Sequence, residues 1–339
     1  MFIGIVGSRC SGKRTIAEYL VQNHGFKLLS LRNYKVVDSD SSGETLEFDT
    51  QEQLQEFVTE RWRENFVTCD LDSCGVHALK KRPFFLLVSV EAPLSLRYKR
   101  FKERSHRLGA SSLSLEEFVQ QDDLEIFNVA VDESGKRNTP LYQLVSIADV
   151  NITNVYTSLS EFSLTLHSLD LTNGERLRPS WDTYFMHLSD LAARRSNCMK
   201  RRVGCILVKD SRVVATGYNG TPRGLRNCNE GGCDRCNSNA RCGTGLDRCL
   251  CMHAEENALL EAGRSRVDFG SDVVLYCNTC PCLGCAIKIV QVGVKEVVFS
   301  KSYGMDEMTA KVFSDAGVKL RQHSPPSMKL EMQISDLSI

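Results

Sequence analysis

Cysteine residues constrain this chain more than any other feature of its sequence. The 339-residue chain contains 15 cysteines, an odd number, and ten of them lie between Cys228 and Cys285. The apolar run at the N-terminus, Phe2–Val6, is too short for a secretory signal peptide, so we expect a reducing, cytoplasmic compartment. Clustered thiols in such a compartment typically bind metal rather than form disulfides. The sequence therefore predicts metal sites in the second half of a soluble protein.

The charge balance argues against two classes of partner. The chain has 42 basic and 42 acidic residues, so no net field attracts nucleic acid or an anionic membrane surface. No stretch approaches the roughly 18 consecutive apolar residues of a membrane span. We expect neither a membrane nor a nucleic acid as partner.

The alternation of apolar and polar segments predicts two layered α/β domains. We expect a first domain over residues 1–172, a second over 178–322, and a loose C-terminal tail over 323–339. In the first domain strands alternate with helices, one of them predicted over residues 51–66, which is typical of an open parallel sheet.

The first domain also carries a phosphate-binding motif. Gly7, Gly12 and Lys13 have the P-loop spacing, after a predicted strand and before a predicted helix. Backbone amides in such a loop can bind phosphates at the helix N-terminus. However, Arg14 stands where serine or threonine would hold Mg²⁺, and Thr15 is displaced by one position. The region looks like a deoxynucleotide kinase, and we predict a degenerate or regulatory domain, with active phosphoryl transfer as the alternative.

Two short motifs in the second domain predict a catalytic zinc site. His253 opens a His-Ala-Glu motif, and Cys282 and Cys285 lie in a Pro-Cys-Leu-Gly-Cys motif, each at the start of a predicted helix. One nitrogen and two thiolates leave the fourth position of Zn²⁺ open for water. Glu255 lies near the metal without being needed as a ligand, so we predict that it transfers protons. The alternative is a closed structural site completed by Cys280.

The sequence at this point resembles the deoxycytidylate (dCMP) deaminases, and most closely long fungal-type members with an N-terminal extension. The segments that carry the resemblance are residues 195–196, 203–204, 217–222, 253–258 and 276–285. The zinc motifs are shared with cytidine, tRNA-adenosine and polynucleotide cytidine deaminases. The Gly-Tyr-Asn-Gly-Thr-Pro run at 217–222 indicates the mononucleotide deaminases. Asn-Thr-Cys at 278–280 replaces a tryptophan-containing segment and disfavours a nucleic-acid editor.

This resemblance implies a cytidine-deaminase-like layered α/β catalytic domain preceded by a P-loop-like parallel α/β domain. It implies a zinc-dependent hydrolase that converts dCMP to dUMP and ammonia and so feeds thymidylate synthesis. It also implies that Asn219 contacts the sugar and that backbone near Ala254 meets the base carbonyl. Among the arginines near 194–202, Arg195 is a candidate for the substrate phosphate.

The resemblance further implies regulation. The dCMP deaminases are typically homohexamers that dCTP activates and dTTP inhibits, with the effector site near the loop that corresponds to residues 217–224. Glycines in that loop allow backbone amides to approach a triphosphate, and Arg223 can add a charged contact.

The remaining cysteines predict a second, structural zinc ion whose ligands stay open. By spacing, Cys233-x-x-Cys236 and Cys249-x-Cys251 could close a four-thiolate site. Resemblance to phage and bacterial dCMP deaminases instead indicates Cys198, Cys228 and Cys251, with a fourth ligand from the intervening loop. Both sets use Cys251.

Three other functions remain as alternatives at this point. One is a nucleoside monophosphate kinase whose zinc domain is only structural, and another is a deaminase of a different cytosine or adenine substrate such as tRNA. The third is a nucleic-acid-binding zinc module, which the zero net charge disfavours.

Overall fold

The computed structural model describes residues 1–32, 45–109, 112–127, 139–238, 240–241, 244–266, 272–302, 307–327 and 329–330. The chain forms two compact units, Met1–Arg178 with the described residues from Pro326 onward, and Pro179–Pro325. The domain boundaries expected from the sequence, at 172 and 322, stay predictions. Within the described ranges, no helix is both long and apolar enough to cross a bilayer.

The first unit is built on a seven-stranded sheet in which all neighbouring strands are parallel. The strands of this sheet are β1 Phe2–Val6, β2 Lys27–Leu31, β3 Thr45–Phe48, β4 Phe66–Thr68, β5 Phe85–Glu91, β6 Val150–Thr153 and β12 Lys329–Leu330. Their order across the sheet is β12-β6-β5-β1-β4-β2-β3. Its helices are α1 Lys13–His24, α2 Gln51–Glu60, α3 Ser73–Leu79, α4 Leu94–Arg107, α5 Leu115–Phe127, α6 Leu141–Ser146 and α7 Leu159–Leu169.

The central strands of this sheet are buried on both faces. All five residues of β1 and the first six of β5 are buried, as continuous apolar runs predict for a parallel sheet between helices. The predicted parallel α/β architecture is confirmed. The sheet places the loop after β1 directly before α1, which is where a phosphate-binding loop must lie.

The predicted helix over residues 51–66 is shorter in the structure. Helix α2 ends at Glu60, and Phe66 begins β4, where it pairs with Phe2. Trp62 is 49% exposed, so the apolar face of the helix does not continue through it. Phe66 is fully buried, because pairing with β1 places it inside the sheet.

The expected C-terminal tail contains an element of the first unit. Lys329–Leu330 form β12, which pairs in parallel with Asn151 and Ile152 of β6. The guanidinium of the buried Arg176 donates a hydrogen bond of 2.6 Å to the carbonyl of Ser327 just before this strand. The described part of the tail is therefore anchored by ladder and side-chain hydrogen bonds.

The second unit is built on a five-stranded mixed sheet with the order β11-β10-β9-β7-β8. Strand β7 is antiparallel to both β8 and β9, and the other pairs are parallel. The strands are β7 Gly204–Lys209, β8 Arg212–Tyr218, β9 Val273–Thr279, β10 Glu296–Lys301 and β11 Lys319–Gln322. The helices are α8 Trp181–Ala193, α9 Asp234–Asn237, α10 Ala254–Arg266, α11 Leu283–Val292 and α12 Glu307–Asp315.

Helices cover this sheet on both faces. Because side chains alternate along a strand, Cys205 and Leu207 of β7 belong to one core and Ile206 and Val208 to the other. The first core includes residues of α10, α11 and α12, and the second includes Phe185 and Met186 of α8. Helix α8 begins at an N-cap, with the Ser180 hydroxyl accepting a hydrogen bond from the Thr183 amide. The predicted layered α/β domain is confirmed.

Candidate active site

The N-termini of α10 and α11 meet at one edge of the second sheet. His253 directly precedes α10, and Cys282 occupies the N-cap position of α11. The Nδ1 atom of His253 lies 3.4 Å from the sulfur of Cys282 and 3.3 Å from that of Cys285. The structure thus brings His253 next to two cysteines that lie 29 and 32 positions further along the sequence.

These three residues fit a zinc ion. Ligand bonds of about 2.1 Å to nitrogen and 2.3 Å to sulfur at a tetrahedral angle require an N···S distance of about 3.6 Å. Among the described residues no fourth histidine, cysteine or carboxylate joins this set, and Cys280 lies outside it. His253 and Cys282 are exposed to solvent whereas Cys285 is buried. The donor set is therefore open on one side, as a catalytic site requires.

The two thiols are poised to bind a cation. A hydrogen bond from Cys285, supported by His253, lowers the pKa of Cys282 to about 3. The same hydrogen bond, together with burial, raises the pKa of Cys285. Zn²⁺ binds both cysteines as thiolates, so loading of the site releases any proton that remains on the pair.

Glu255 lies in the first turn of α10 and is only 4% exposed. Its carboxylate is not part of the His253–cysteine set, so it is not committed to the metal. Burial raises the pKa of this carboxyl group. A buried carboxyl beside an open metal position has the properties of a proton carrier.

Sequence reasoning missed the role of Glu256. Its carboxylate accepts a hydrogen bond of 3.0 Å from the backbone amide of His253 and pairs with Lys288 of α11. A glutamate three residues after the N-cap position is half of a capping box, so the spacing could have indicated this contact. The carboxylate positions His253 and connects the two helices that carry the zinc ligands.

Gly217 allows α10 to lie close against β8. A Cβ atom at this position would overlap the carbonyl oxygen of Ala254 and crowd the backbone amide of Ala258. The helix backbone at Ala254 and Ala258 therefore lies directly against the strand and determines where Glu255 lies.

We predict that Gly217→Ala destabilises the second unit by about 1–3 kcal/mol, because a methyl group has no space there. Differential scanning calorimetry of the full chain would measure the shift. Gly284→Ala is the matched control, since its Cβ would point into open space. Equal transition temperatures for the two variants would contradict this explanation.

The residues expected to bind substrate differ in their exposure to solvent. Asn219 is buried, and its side chain accepts a hydrogen bond from the Val203 amide and donates one to the Arg201 carbonyl, both 2.8 Å. One amide hydrogen and one lone pair remain for a ligand. Ala254 is fully buried. Arg195 is exposed and lies 5.9 Å from the ring centre of Tyr218.

Arg223, the expected effector contact, is exposed in the loop after β8. Gly224, the next residue, has a positive φ of 90°. The loop is closed at its start by a bridge between Gly220 and Met252. This bridge connects the loop to the residue just before His253.

The six cysteines predicted as candidate structural ligands form one group, which we call the thiolate cluster. Its members are Cys198, Cys228, Cys233, Cys236, Cys249 and Cys251. Four are buried and two are partly exposed, in contrast to the open His253 site. Cys242 lies outside the described residues.

The predicted P-loop lines a cavity of about 820 Å³ in the first unit. A Cβ at Gly7 would overlap the carbonyl oxygen of Val90, and Gly12 adopts a positive φ of 112°. The ammonium group of Lys13 donates hydrogen bonds to the carbonyls of Gly7 (2.6 Å) and Ser8 (2.9 Å). Five arginines also line the cavity, namely Arg9, Arg14, Arg100, Arg104 and Arg107. The cavity is suited to an anion.

The mixed sheet, the His-x-Glu helix and the Cys-x-x-Cys helix together define a zinc-dependent deaminase of the cytidine deaminase class. The family model described as the cytidine and deoxycytidylate deaminase zinc-binding region matches residues 179–301. A second model, described as an AAA domain, matches residues 3–121. Each model falls within one of the two units.

Two curated relatives match nearly the whole chain. The deoxycytidylate deaminase of Schizosaccharomyces pombe is 49% identical over 96% of this chain and 98% of its own length. That of Saccharomyces cerevisiae is 40% identical over 96% of this chain and 97% of its own length. The chain belongs to the deoxycytidylate deaminase family. A solved structure of dCMP deaminase from the cyanophage S-TIM5 in complex with dCMP and dUMP is 28% identical, with a TM-score of 0.34, over 43% of this chain and 98% of that one.

Proposed function

We propose that the dCMP deaminase activity of this zinc-dependent hydrolase takes place at the meeting point of α10 and α11. In this proposal His253, Cys282 and Cys285 hold the zinc ion and Glu255 carries the protons. The observation that supports it most directly is the convergence of one imidazole and two thiols, open to solvent, beside a buried carboxyl group. Bound zinc supplies a Lewis acid that lowers the pKa of a water molecule.

The reaction requires a proton shuttle, and Glu255 is suited to it. The carboxylate accepts a proton from the attacking water and delivers it to N3 of the cytosine, which makes C4 electrophilic. The water oxygen forms a bond to C4 and becomes the carbonyl oxygen of uracil. The second water proton leaves with the amino group as the C4–N bond breaks, so dUMP and ammonia are the products. The dUMP that is formed supplies thymidylate synthesis.

Substrate contacts complete the proposal. Asn219 is assigned to the sugar, the backbone near Ala254 to the base carbonyl, and Arg195 to the 5′-phosphate. Asn219 is already held by two backbone hydrogen bonds, so its amide is fixed in orientation before the substrate binds.

The most direct experiment compares substrates. Zinc-replete full-length protein is incubated with dCMP, CMP, deoxycytidine or cytidine, and released ammonia is measured. We expect dCMP to give the highest kcat/KM. A higher value for a nucleoside, or for tRNA added as a fifth substrate, would overturn the assignment of a mononucleotide substrate.

We also propose that two nucleoside triphosphates regulate the deaminase activity. We assign dCTP as activator, dTTP as inhibitor and the loop over residues 217–224 as their site. The bridge between Gly220 and Met252 gives that loop a short connection to His253, with hydrogen bonds of 3.2 and 2.9 Å. An effector bound there can favour one arrangement of the site over another.

We predict that the dCMP saturation curve is sigmoidal alone, hyperbolic with dCTP, and shifted to higher dCMP with dTTP. Effector coupling of this kind typically changes apparent affinity by about 5–150-fold. Arg223→Ala should weaken both effectors with little change in turnover at saturation. Arg212→Ala removes another exposed arginine, at the start of β8, and serves as the control. Identical hyperbolic curves in all conditions would contradict the assignment.

A homo-oligomer, by family resemblance a hexamer, and a cytoplasmic location are also proposed. Leu260 of α10 and Ile287 of α11 are 71% and 55% exposed, which supports burial of this side in an assembly. The cysteines among the described residues form no disulfide bonds, which is consistent with a reducing compartment. Light scattering coupled to size-exclusion chromatography would give the oligomeric state.

A second activity is proposed for the first unit, namely binding of a nucleotide phosphate by residues Gly7, Gly12 and Lys13. The cation-lined cavity next to this loop supports the proposal. Arg100 is already engaged, since it donates hydrogen bonds to the Cys10 carbonyl (3.2 Å) and the Tyr156 carbonyl (2.7 Å) and so braces the loop.

We predict that Lys13→Ala weakens binding of ATP to the full chain by about tenfold or more, because a charge-assisted contact contributes about 1.5–3 kcal/mol. Isothermal titration calorimetry would measure the change. Lys27→Ala, which removes a partly exposed lysine of β2 that pairs with Glu64, is the control. ATP affinity unaffected by Lys13→Ala would contradict a phosphate role, and phosphate transfer to a nucleoside monophosphate would identify a working kinase.

A further inference from the structure

The thiolate cluster contains more sulfur atoms than one zinc ion can use. Its sulfurs fall into two groups of four, and within each group all sulfurs lie within 4.8 Å of one another. The first set is Cys198, Cys228, Cys236 and Cys251. The second set is Cys233, Cys236, Cys249 and Cys251. The two sets share Cys236 and Cys251.

The distances between the sulfur of Cys236 and three other sulfurs of the cluster match those of tetrahedral zinc–thiolate sites. Zn–S bonds of about 2.3 Å at tetrahedral angles place neighbouring sulfurs about 3.8 Å apart. The sulfur of Cys236 lies 3.8 Å from that of Cys198, which belongs to the first set, and 3.6 Å from that of Cys249, which belongs to the second. It lies 3.8 Å from that of Cys251, the other shared residue. The sulfur of Cys236 therefore lies at the distance expected for two ligands of one zinc ion from sulfurs of both sets.

We propose that the thiolate cluster binds two zinc ions, one in each set, with the sulfurs of Cys236 and Cys251 bridging them. The two ligand sets that spacing and family resemblance left open are then not alternatives, because each set holds its own ion. The two tetrahedra share the edge that joins the bridging sulfurs.

Two ions would use every sulfur of the cluster, whereas one ion would not. A single Zn²⁺ binds four thiolates and leaves two cysteines as neutral thiols, while two Zn²⁺ ions bind all six sulfurs, and both states carry a net charge of −2. Cys228 and Cys233 are completely buried, and Cys236 is only 4% exposed. Two ions therefore give each of these buried sulfurs a metal bond, whereas one ion leaves two of the six cysteines without one.

Backbone amides point at sulfurs that belong to only one set. The Met199 amide donates a hydrogen bond of 3.4 Å to Cys228, and the Leu250 amide donates one of 3.3 Å to Cys233. A terminal thiolate shares its charge with one cation and so retains more of it than a bridging thiolate does. Amide donors at the terminal positions therefore match the proposed distribution of charge.

The thiolate cluster stabilises a segment that has little regular secondary structure. Five of its six cysteines lie between Tyr218 at the end of β8 and Ala254 at the start of α10, where the described residues form only short helical turns. Cys251, one of the bridging residues, lies two positions before His253 and next to Met252, which pairs with Gly220. The shared edge of the cluster thus fixes the chain at the entrance to the catalytic helix.

Metal stoichiometry tests the proposal without using activity. Zinc per chain is measured on the purified full-length protein by plasma mass spectrometry and by native mass spectrometry. We expect three ions in the wild type and two in Cys282→Ala, which removes a ligand of the other site. Two ions in the wild type and one in Cys282→Ala would overturn the two-ion cluster, whatever the activity toward dCMP.

Cadmium substitution tests the bridge. In ¹¹³Cd NMR of the cadmium-loaded full chain, two cluster resonances should show Cd–Cd coupling through the shared sulfurs. Two uncoupled resonances, or one, would overturn bridging by Cys236 and Cys251. This measurement uses the wild type, so it decides the question even if cluster variants do not fold.

Cysteine variants assign the two ions. Cys249→Ser alters only the second set and should lower the zinc content by about one ion, whereas Cys236→Ser alters both sets and should release both ions. Cys74→Ser is the control, because that thiol lies on α3 outside every metal-ligating group found among the described residues. Full zinc retention in Cys249→Ser would contradict the second set.

Discussion

Glu255→Gln should abolish dCMP deamination while the zinc content per chain stays unchanged. Glutamine keeps the size and polarity of the buried side chain but can carry neither the first water proton to N3 of the base nor the second one to the leaving amine. General acid–base catalysis typically contributes about 10²–10⁴-fold to a rate, and we expect a loss of kcat at least that large. Ammonia release and metal analysis on the same preparation would measure both quantities.

Glu261→Gln is the matched control for this variant. Glu261 lies on the same helix, α10, but is exposed to solvent. The Glu261→Gln variant should therefore retain wild-type turnover. Loss of zinc together with activity in Glu255→Gln would show that Glu255 is a ligand or a structural residue instead. Turnover within tenfold of the wild type would show that another group carries the protons.

Cys282→Ala should also abolish turnover, but through loss of the catalytic zinc ion. One of the three ligands disappears, and the remaining pair, His253 and Cys285, holds Zn²⁺ much more weakly. The ions of the thiolate cluster should remain, because that cluster shares no residue with the His253 set. Zinc analysis before and after dialysis, with the deaminase assay, would separate the two sites.

Cys280→Ala is the control, and it also tests the closed structural alternative. Cys280 is buried two residues before Cys282 but lies outside the ligand set. If the fourth position of the zinc ion is open, this variant keeps both metal and activity. Loss of zinc in Cys280→Ala would indicate a closed four-ligand site and would contradict a hydrolytic role for the ion.

The catalytic motifs could be predicted from the sequence because their geometry is mostly local. His253 and Glu255 are separated by a single residue at the start of one helix, and Cys282 and Cys285 are separated by two residues at the start of another. Local spacing at a helix N-terminus determines which side chains point the same way. Their agreement with a known deaminase pattern then indicated that the two helices meet.

Other local patterns were equally informative. The alternation of strands and helices in the first domain predicted a parallel sheet, and the burial of β1 and β5 on both faces agrees with it. The end of α2 was not predictable in the same way. The apolar periodicity runs on to Phe66, and only pairing with Phe2 across the sheet makes that residue part of a strand.

By itself, the sequence determined the class of the catalytic site, the alternation of strands and helices, and the candidate cysteines. Only the tertiary structure decided how those cysteines group, because Cys198 and Cys236 are 38 positions apart and meet through the path of an irregular segment. It likewise decided that Lys329–Leu330 joins the first sheet, a pairing with β6 across more than 170 positions. Contacts of that range depend on which surfaces the folded chain leaves available, and no local periodicity records them.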